Sequence, residues 1–500
     1  MKRSWVWTLL HLLAIVGILG ALLCGMRIAT LDHDFIMWLS PILPEGEVHQ
    51  CHQIFGSIFL ASSLSLVLYK RAQNTPLSYI GRAGLFILSW IPIIGIVIYS
   101  FGDPYGVLLD LHFYGSLLAI LFLILHGGGY FIKGGRKTLL KAINAKPAIK
   151  KEKLVLLSVV GIFTIMMLIL FKEPPHMLYA AQLDKNDTIT IDGHADEKAW
   201  EKATPVTLHV YGGAHFNHGA TTLKIKALKS KKNIYLYIKW KDKTKSLKHL
   251  PIIKTASGWK VEEDGFVHFD EKNFYEDKLA VMLSNDCAGP AGHSIHLGPH
   301  PLPNHQSNWH GRGYHYTTDG TIRDLWQWKA VRSNPMGIAD DDFFGAPAPQ
   351  WNGIRRYKAG YIADGKDSGG ISMNWKWYTP NGIVPKRIRP KSDHNLSEHA
   401  IGWYDYDEYS KQKDDMKVGT HMASVLLKAN TIEGDQADVQ AKGFWKDGWW
   451  HLELTRALDT KSPNDLPIKN GICMWVVAFD HTQIRHTRYN RPLKLFGFEE

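Results

Sequence analysis

Cysteine is scarce in this chain, which has four in 500 residues. None of the four belongs to a Cys-x-x-Cys-His sequence, and this excludes ordinary covalent attachment of a c-type haem. No P-loop, dinucleotide-binding glycine fingerprint or Ser-His-Asp arrangement supports nucleotide or hydrolase chemistry. Long apolar runs are missing only after residue 172, where the sequence is polar, aromatic and rich in Gly, Pro, Asn and His. The two halves therefore belong to different environments.

Before residue 172, the sequence alternates long apolar runs with short basic loops. A helix that spans a bilayer needs about 20 apolar residues. Five runs fit this length: Trp5–Cys24, Cys51–Leu68, Leu85–Phe101, Leu108–Ile132 and Leu154–Phe171. The first run has no small-residue cleavage site after it, so it is interpreted as an anchor and not as a signal peptide. The sequence predicts five transmembrane helices surrounded by membrane lipid.

The charges of the loops predict the orientation in the membrane, because cytoplasmic loops are enriched in Lys and Arg. The loop between the fourth and fifth runs carries eight cations: Lys133, Arg136, Lys137, Lys141, Lys146, Lys150, Lys151 and Lys153. We therefore expect a bacterial inner membrane protein with a cytoplasmic amino terminus and a periplasmic carboxy-terminal half. The net charge of +11 largely reflects this pattern, so no nucleic-acid partner is expected.

Four histidines lie inside the apolar runs at two depths. His112 and His126 are fourteen residues apart on the fourth run, close to four helical turns and roughly 21 Å, so they share a face. His11 matches the depth of His126, and His52 matches that of His112. A neutral imidazole in hydrocarbon is costly unless it is ligated or hydrogen-bonded. Two pairs at matched depths favour two stacked bis-histidine haems.

Other interpretations of these histidines remain open. Each could form a hydrogen bond between helices or contact lipid headgroups near the interface. His49 also competes with His52, because positions three apart on a helix share a face. Acids near the periplasmic ends of the runs (Glu47, Asp103 and Asp110) are either proton acceptors or solvated charges and helix caps.

The membrane half resembles the bacterial di-haem cytochrome b proteins of the b-561 type and the related cytochrome b subunits of hydrogenases and dehydrogenases. The resemblance rests on His11, on "HQIFG" with His52, on "IPIIG", and on the two "LH" pairs of the fourth run. It covers about residues 5 to 145. It implies four helices that hold two b haems, with quinol or quinone as the small partner. The fifth run departs from the family pattern and exports the carboxy-terminal half of the chain.

After the Pro-containing linker "KEPPHMLYAAQ", short strand-like segments predict an all-β sandwich. The segments are "TLKIKALKS", "NIYLYIKW", "DKLAVML", "MASVLLKA", "ADVQAKGFW", "WWHLELTR", "ICMWVVAF" and "PLKLFGF". Between Asn285 and Thr420 the sequence has no clear strand-like segments, and a stretch of this length predicts function-bearing loops. This stretch holds six closely spaced histidines, but none combines tight ligand spacing with a carboxylate, so a free-metal site is disfavoured. The pairing of Cys24, Cys51, Cys287 and Cys473 stays open.

From about residue 183 to 497, the chain resembles the haem-binding domain of the ethylbenzene dehydrogenase family. The matching segments are "ITIDGHADEKAW", "EDKLAVMLS", "DLWQWKAVRSNPMGIADDDFF", "GFWKDGWWHLELTRALDT" and "VVAFDHTQIRH". The resemblance implies a β-sandwich with one haem among its loops. The best-known members ligate that iron with Met and Lys, whereas the corresponding places here are polar. We expect His486 as one ligand and His315 as the other, with His293 in reserve.

Together these patterns predict three parts: a di-haem transmembrane domain (residues 1–145), a fifth transmembrane helix with linker (146–182), and a haem-binding β-sandwich (183–500). The expected function is electron transfer between the quinone pool and a periplasmic electron-transfer protein or oxidoreductase, through haem b. Two alternatives remain. The sandwich could bind a carbohydrate or other ligand through its tryptophans, or the exported haem could catalyse a reduction.

Overall fold

The computed structural model describes most of the chain and divides it into a helical unit, up to residue 174, and a β unit after it. The described residues are 3–29, 33–44, 48–68, 76–101, 107–140, 145–146, 150–171, 176–262, 273–285, 287, 317, 320–346, 361–363, 370–379, 381–389, 400–428, 433–483, 486–488 and 492–498.

Five helices form the first unit: α1 Trp5–Ala29, α2 Val48–Leu68, α3 Pro76–Phe101, α4 Val107–Leu140 and α5 Lys150–Phe171. Each contains one of the five predicted apolar runs. Three stretches are long and apolar enough to cross a membrane: Trp5–Ala29, Tyr79–Tyr99 and Val107–Ile132. Cys51–Val67 and Val155–Ile169 are shorter apolar helices. Two short strands, β1 Arg3–Ser4 and β2 Ala145–Lys146, pair in parallel.

Neighbouring helices approach closely and are joined by serine hydroxyls. α1 packs against α2, α3 against α4, and α2 also contacts α3 and α5. A Cβ at Gly17 of α1 would lie 2.6 Å from the backbone nitrogen of Phe59, so a glycine is required at this crossing. The Ser63 hydroxyl of α2 lies 2.9 Å from that of Ser89 on α3. Small residues and interhelical hydroxyl contacts of this kind are typical of helices that associate in lipid.

The outward faces of the helices are apolar. On α4, Leu125 is 65% exposed and Ile132 is 86% exposed. Val16 of α1 and Leu157 of α5 are likewise more than half exposed. Such a surface is unfavourable in water, so the exposed apolar side chains agree with a membrane anchor.

The remaining strands belong to the β unit. They are β3 His176–Gln182, β4 Val206–Val210, β5 Thr221–Lys229, β6 Asn233–Lys241, β7 Ile252–Thr255, β8 Gly258–Val261, β9 Lys278–Ser284, β10 Arg323–Lys329, β11 Asp340–Phe344, β12 Tyr361–Ala363, β13 Ile371–Met373, β14 Tyr378–Thr379, β15 Gly382–Ile383, β16 Arg387–Ile388, β17 Ala400–Gly402, β18 Asp407–Glu408, β19 His421–Met422, β20 Val425–Leu427, β21 Gln440–Lys446, β22 Trp449–Ala457, β23 Cys473–Phe479 and β24 Leu493–Phe496.

Twelve strands form one large sheet in the order β12-β11-β10-β9-β23-β24-β3-β5-β6-β22-β21, with β4 paired to β5. The sheet curls so that β10, near the start of this order, faces β6 and β22, near its finish, across the core. Trp328 of β10 packs 5.8 Å from Trp240 of β6 and 5.0 Å from Trp450 of β22, measured between ring centroids. The expected all-β domain is present, but its main layer is one curled sheet where two separate sheets were expected.

Two stretches differ from the sequence-based expectation. His176–Gln182, expected to be linker, is a strand that pairs in parallel with both β24 and β5. The stretch from 285 to 420, expected to be loops, contributes β10, β11 and β12 to the main sheet. β10 was overlooked because it buries charged residues on both of its faces, such as Arg323 and Asp324, which hide the strand pattern.

Candidate functional site

Two of the membrane histidines, His52 of α2 and His112 of α4, meet side by side. Their ring centroids are 5.8 Å apart and the rings are nearly perpendicular, at 84°. Two imidazoles that share one metal ion, each with a metal–nitrogen distance of about 2 Å, place their ring centres roughly 6 Å apart. The spacing therefore suits a shared ion, although the role of these histidines as ligands stays a prediction.

Hydrogen bonds to backbone carbonyl groups fix the tautomer of each ring. Nδ1 of His52 lies 2.8 Å from the carbonyl oxygen of Ala21, and Nδ1 of His112 lies 2.8 Å from that of Ile91. A carbonyl oxygen only accepts, so both Nδ1 atoms carry the proton and both Nε2 atoms keep a lone pair. Metal-ligating histidines are commonly oriented by this kind of Nδ1–H to carbonyl hydrogen bond.

Each ring also rests on a glycine, and the arrangement is repeated on two helices. A Cβ at Gly25 of α1 would lie 2.9 Å from Cε1 of His52, and a Cβ at Gly95 of α3 would lie 2.9 Å from Cε1 of His112. Each glycine lies four positions after its carbonyl-bearing residue, about one helical turn, so carbonyl and glycine share a face. We call each carbonyl-glycine pair a cradle. A larger side chain at the glycine would displace the imidazole.

A third glycine supports His126. A Cβ at Gly81 of α3 would lie 2.8 Å from Cε1 of His126. Gly81 and Gly95 are fourteen residues apart on α3, the same spacing as His126 and His112 on α4. The Nδ1 atom of His126 is buried without a hydrogen-bond partner in the described structure. α3 therefore presents a glycine to each predicted ligand of α4, about four turns apart.

His11, the predicted partner of His126, lies on α1 and stacks on Trp7 with 4.8 Å between ring centroids. His126 itself stacks on Phe122 at 5.1 Å. The pairing of His11 with His126 stays a prediction.

In the β unit, His486 lies on the segment between β23 and β24. Its Nδ1 lies 2.6 Å from the carbonyl oxygen of Thr487, so this ring too keeps its Nε2 lone pair. Its ring centroid lies 5.2 Å from that of Phe479. Burial, assisted by Lys278, lowers the pKa of His486. A neutral imidazole with a free Nε2 is the form that binds a metal.

The backbone around His486 is anchored to the sheet. The amide of Thr487 donates to the carbonyl oxygen of Ala478 at 2.9 Å, and the amide of Arg488 donates to that of Tyr211 at 2.6 Å. The other two histidines expected in this half, His315 and His293, lie outside the described residues.

The open question of cysteine pairing is answered in part. Cys287 and Cys473 form a disulfide with a Cα–Cα distance of 5.4 Å, whereas Cys24 and Cys51 are free thiols. Cys473 begins β23, so the bond ties the segment after β9 to the neighbouring strand.

A group of buried acids at one end of the sheet was missed by the sequence-based interpretation. Asp242 directly follows β6, Asp277 directly precedes β9, and Asp480 directly follows β23, with His481 beside it. Asp277, Asp480 and His481 each offer a ligand atom within 4.8 Å of the others. The available signal was an acid directly at the end of an apolar strand, in "KWKD", "EDKL" and "AFDH".

Comparison with solved structures gives low similarity. Two structures of a family 9 carbohydrate-binding module from Caldicellulosiruptor kristjanssonii, one with glucose and one with cellotriose, each show 10% identity and cover 65% of this chain. The alignments span 97% and 95% of the carbohydrate-binding module, and the TM-scores are 0.24 and 0.22. Scores this low support no conclusion about fold or ligand. No curated protein sequence matches the chain.

A protein-family comparison is more informative. The model of the ethylbenzene dehydrogenase family matches residues 197–491, which is more than half of the chain and nearly the whole β unit. The matched range includes His486, the acids of β6, β9 and β23, and the disulfide. This chain belongs to the ethylbenzene dehydrogenase family.

Proposed function

We propose that this protein is a membrane-bound haem protein that transfers electrons between the quinone pool and a periplasmic electron-transfer protein or oxidoreductase. Two b haems in the helical unit and one in the β unit would serve this transfer. The observation that carries the proposal is the approach of His52 to His112, each seated in a cradle that accepts a hydrogen bond from its Nδ1.

The residues of the helical unit fit haem in their chemistry. When bound, haem supplies a reversible one-electron carrier held by axial histidines. His52 and His112 would ligate one iron, and His11 and His126 the other. Gly25, Gly81 and Gly95 would let the imidazoles lie against the helix backbones. The buried, unpaired Nδ1 of His126 is one more reason to expect a bound group there, because buried polar atoms are rarely left without a partner.

Oxidation of a quinol releases two electrons and two protons, so the chain needs groups that accept protons. Asp110 lies in the first turn of α4, two residues before His112, and its side chain is exposed to the surroundings. A helix amino terminus stabilises a carboxylate. We propose that Asp110 receives protons near the His52 and His112 pair.

In the β unit, His486 would be one ligand of the haem iron. Arg488 lies two residues after it, and guanidinium groups pair with carboxylates such as haem propionates. We infer that the helical unit spans the membrane with its amino terminus in the cytoplasm and that the β unit lies in the periplasm, as the basic loop before α5 favours.

Haem content of the purified, detergent-solubilised full chain tests the proposal. Replacement of either His52 or His112 by Leu should remove one haem per chain from the redox difference spectrum. His33 is a matched control, because it is also a histidine against α4 and stacks on Phe113 at 3.9 Å. His33→Leu should keep the full haem content. Full haem content in both His52→Leu and His112→Leu would contradict the assignment.

The cradle gives a finer test of the same pair. Gly95→Ala places a methyl group 2.9 Å from Cε1 of His112 and should lower the haem content or shift its spectrum. Gly161→Ala on α5 is the control, because it lies outside the four helices proposed to hold haem and its Cβ would have no heavy atom within 4 Å. Equal spectra for the two variants would show that the glycine does not seat the ligand.

The haem of the β unit and the orientation need separate measurements. His486→Ala in the full chain should lose one haem or convert it to high spin, and leave the other two unchanged. An unchanged spectrum would exclude His486 as a ligand. Alkaline phosphatase fused after Glu500 should be active, whereas a fusion at Lys141 should be inactive. The reverse pattern would overturn the orientation.

A further inference from the structure

Three buried acids, each next to the end of a different strand, meet where β6 and β23 finish and β9 begins. β9 and β23 are antiparallel, with Phe479 opposite Lys278, so Asp480 and Asp277 lie side by side at the same end. The Thr244 hydroxyl links Asp480 to Asp242, because it lies 3.3 Å from Oδ1 of Asp480 and 3.2 Å from Oδ1 of Asp242. The three acids are 4% exposed or less. Three carboxyl groups are thus confined in one buried place.

One carboxylate oxygen of this group lacks a hydrogen-bond donor in the described structure. Oδ2 of Asp242 is buried and has no hydrogen-bond partner in the described structure. Burial, and then repulsion from Asp480, raise the pKa of Asp242 to about 7. Burial, and then Asp242, raise the pKa of Asp277 well above its usual value. A buried acceptor without a donor needs a cation or a proton to balance it.

The neighbouring groups orient these acids without neutralising all of them. Asp277 accepts hydrogen bonds from the indole of Trp450 at 3.0 Å and from the amide of His481 at 3.0 Å. His481 contacts Asp480 through Nδ1, and its ring stacks on that of His215 with 3.9 Å between centroids. One imidazole can offset at most one of three negative charges.

A second buried group of acids in the same unit shows the contrast. Asp324, Asp341 and Asp465 also lie within 4.8 Å of one another, measured between ligand atoms. The Arg456 guanidinium lies among them, 3.6 Å from Asp465 and 4.0 Å from Asp341, and it donates to Asp324. That group contains its own permanent cation, and a metal ion beside a guanidinium would be repelled. The group around Asp242 has no such side chain among its described ion pairs.

We propose that Asp242, Asp277 and Asp480, with His481 beside them, bind one hard divalent cation of the Ca²⁺ class. Carboxylate and hydroxyl oxygens are the ligands that Ca²⁺ prefers, and no thiol is present among these residues. His481 positions the Asp480 carboxylate, as hydrogen-bonded neighbours commonly do for metal ligands. The site is independent of the haem-binding proposal, because it requires none of the predicted haem ligands.

Calcium counting on the full chain tests this site. The detergent-solubilised protein is stripped with chelator, dialysed against about 1 mM Ca²⁺, near the dissociation constants of extracellular Ca²⁺ modules, and analysed by elemental mass spectrometry. Wild type should hold one Ca²⁺ per chain more than Asp480→Asn. Asp465→Asn is the matched control, since it alters the other buried acidic group, and it should hold as much Ca²⁺ as wild type.

Thermal unfolding of the same samples distinguishes a lost site from a misfolded variant. In chelator, Asp242→Asn should melt at a higher temperature than wild type, because it removes a repelling carboxylate. In Ca²⁺ the order should reverse, since only wild type gains the ion. Equal Ca²⁺ content in wild type and Asp480→Asn would overturn the proposal, as would Ca²⁺ loss confined to Asp465→Asn. Binding of Zn²⁺ without Ca²⁺ would overturn the assignment to a hard cation.

Discussion

A buried histidine has different meanings in the two units of this protein. His112 in the helical unit faces a backbone carbonyl on one side, and its other nitrogen remains available. His249 in the β unit is 4% exposed, and its Nδ1 lies 3.2 Å from a carboxylate oxygen of Glu276. Arg332 also pairs with Glu276. In the β unit a charged side chain approaches the imidazole, whereas in the helical unit a backbone carbonyl and a glycine hold the ring.

Buried charge is more common in the β unit, and Arg27 of α1 is a buried cation in the helical unit. The β unit places ionisable groups in its interior and pairs most of them internally, as with Arg456 and Asp324 or Lys329 and Asp340. The buried polar groups of the helical unit include serines on α2, α3 and α5 that bond to one another or to their own backbone. A histidine is therefore a stronger sign of a bound group in the helical unit than in the β unit.

The largest expected change in stability follows removal of Arg456, the buried cation among three acids of the β unit. Arg456→Met leaves Asp324, Asp341 and Asp465 buried without their guanidinium, and removal of one partner of a buried ion pair costs about 3–5 kcal/mol. Urea unfolding of the full chain, monitored by tryptophan fluorescence, measures the loss. Arg387→Met is the control, because both guanidinium groups lie over a tryptophan ring. Arg456 lies 4.8 Å from the ring centroid of Trp326, and Arg387, which is half-buried, lies 4.4 Å from that of Trp403. Equal stability of the two variants would show that the acids do not depend on Arg456.

The disulfide gives the next effect, and it should be confined to the β unit. Cys287 and Cys473 are 186 residues apart in sequence, so the bond restricts a long loop of the unfolded chain. Cys473→Ser should lower the free energy of unfolding of the β unit by about 2–4 kcal/mol. The spectra of the haems proposed for the helical unit should not change. Cys51→Ser, at a free thiol, is the control, and a similar destabilisation by both variants would contradict the assignment of the bond.

The pairing of His249 predicts a pH dependence that belongs to the β unit. Burial, and then Arg332, lower the pKa of His249 from 6.5 to about 4. The unfolded chain therefore takes up a proton at a higher pH than the folded protein does. The stability that depends on neutral His249 is fully present above pH 6.5 and is lost as the pH falls toward 4.

The contribution of His249 to this loss is about 2 kcal/mol between roughly pH 7.5 and pH 5, taken as the difference between the wild-type and His249→Gln curves. The difference is needed because Asp242, whose pKa burial raises to about 7, titrates in the same range with the opposite sign. Measurements above about pH 5 also exclude titration of Glu276, whose pKa is held low by Arg332 and His249. Lys278 is a further cation facing His249, and it favours the neutral form. His249→Gln should flatten the dependence, and an equally steep curve in that variant would assign it to another group.

The smallest effect concerns the hydroxyl contact between α2 and α3. Ser63→Ala removes the hydrogen bond to Ser89, and such bonds between membrane helices are worth about 0.6 kcal/mol. Ser57→Ala on the same helix is the control, because the Ser57 hydroxyl is buried without a partner in the described structure. Unfolding of the helical unit in mixed detergents should separate the two variants. If both destabilise equally, the contact contributes nothing specific.

The helices could be predicted from sequence because an apolar run of this length has few other uses, and all five predicted runs are helical. The histidines of these runs could be selected as candidate ligands for the same reason, since a polar residue is conspicuous in an apolar run. The cradles could not be predicted, because the match of Gly95 to His112 and of Gly81 to His126 depends on how α3 aligns with α4.

The strands of the β unit were predictable where they alternate cleanly, as β5 and β6 do, or form a short apolar run, as β9 and β23 do. β10 and β11 were missed because they bury Arg323, Asp324 and Asp341, charges that local pattern assigns to loops. These charges are tolerated only through partners distant in sequence, such as Arg456. The three acids of the proposed cation site were missed for a similar reason, since each comes from a different part of the chain.

The parallel pairing of β3 with β24 has a consequence for biosynthesis. β3 ends at residue 182, while β24 begins at residue 493, so the two paired strands are synthesised far apart in time. Until β24 has left the ribosome, one side of β3 stays an unpaired edge, which is a template for aggregation. The sheet therefore closes only after β24 has been made. Pulse-labelled nascent chains should become resistant to protease only once they extend past Phe496, and earlier resistance would show that the sheet closes without its last strand.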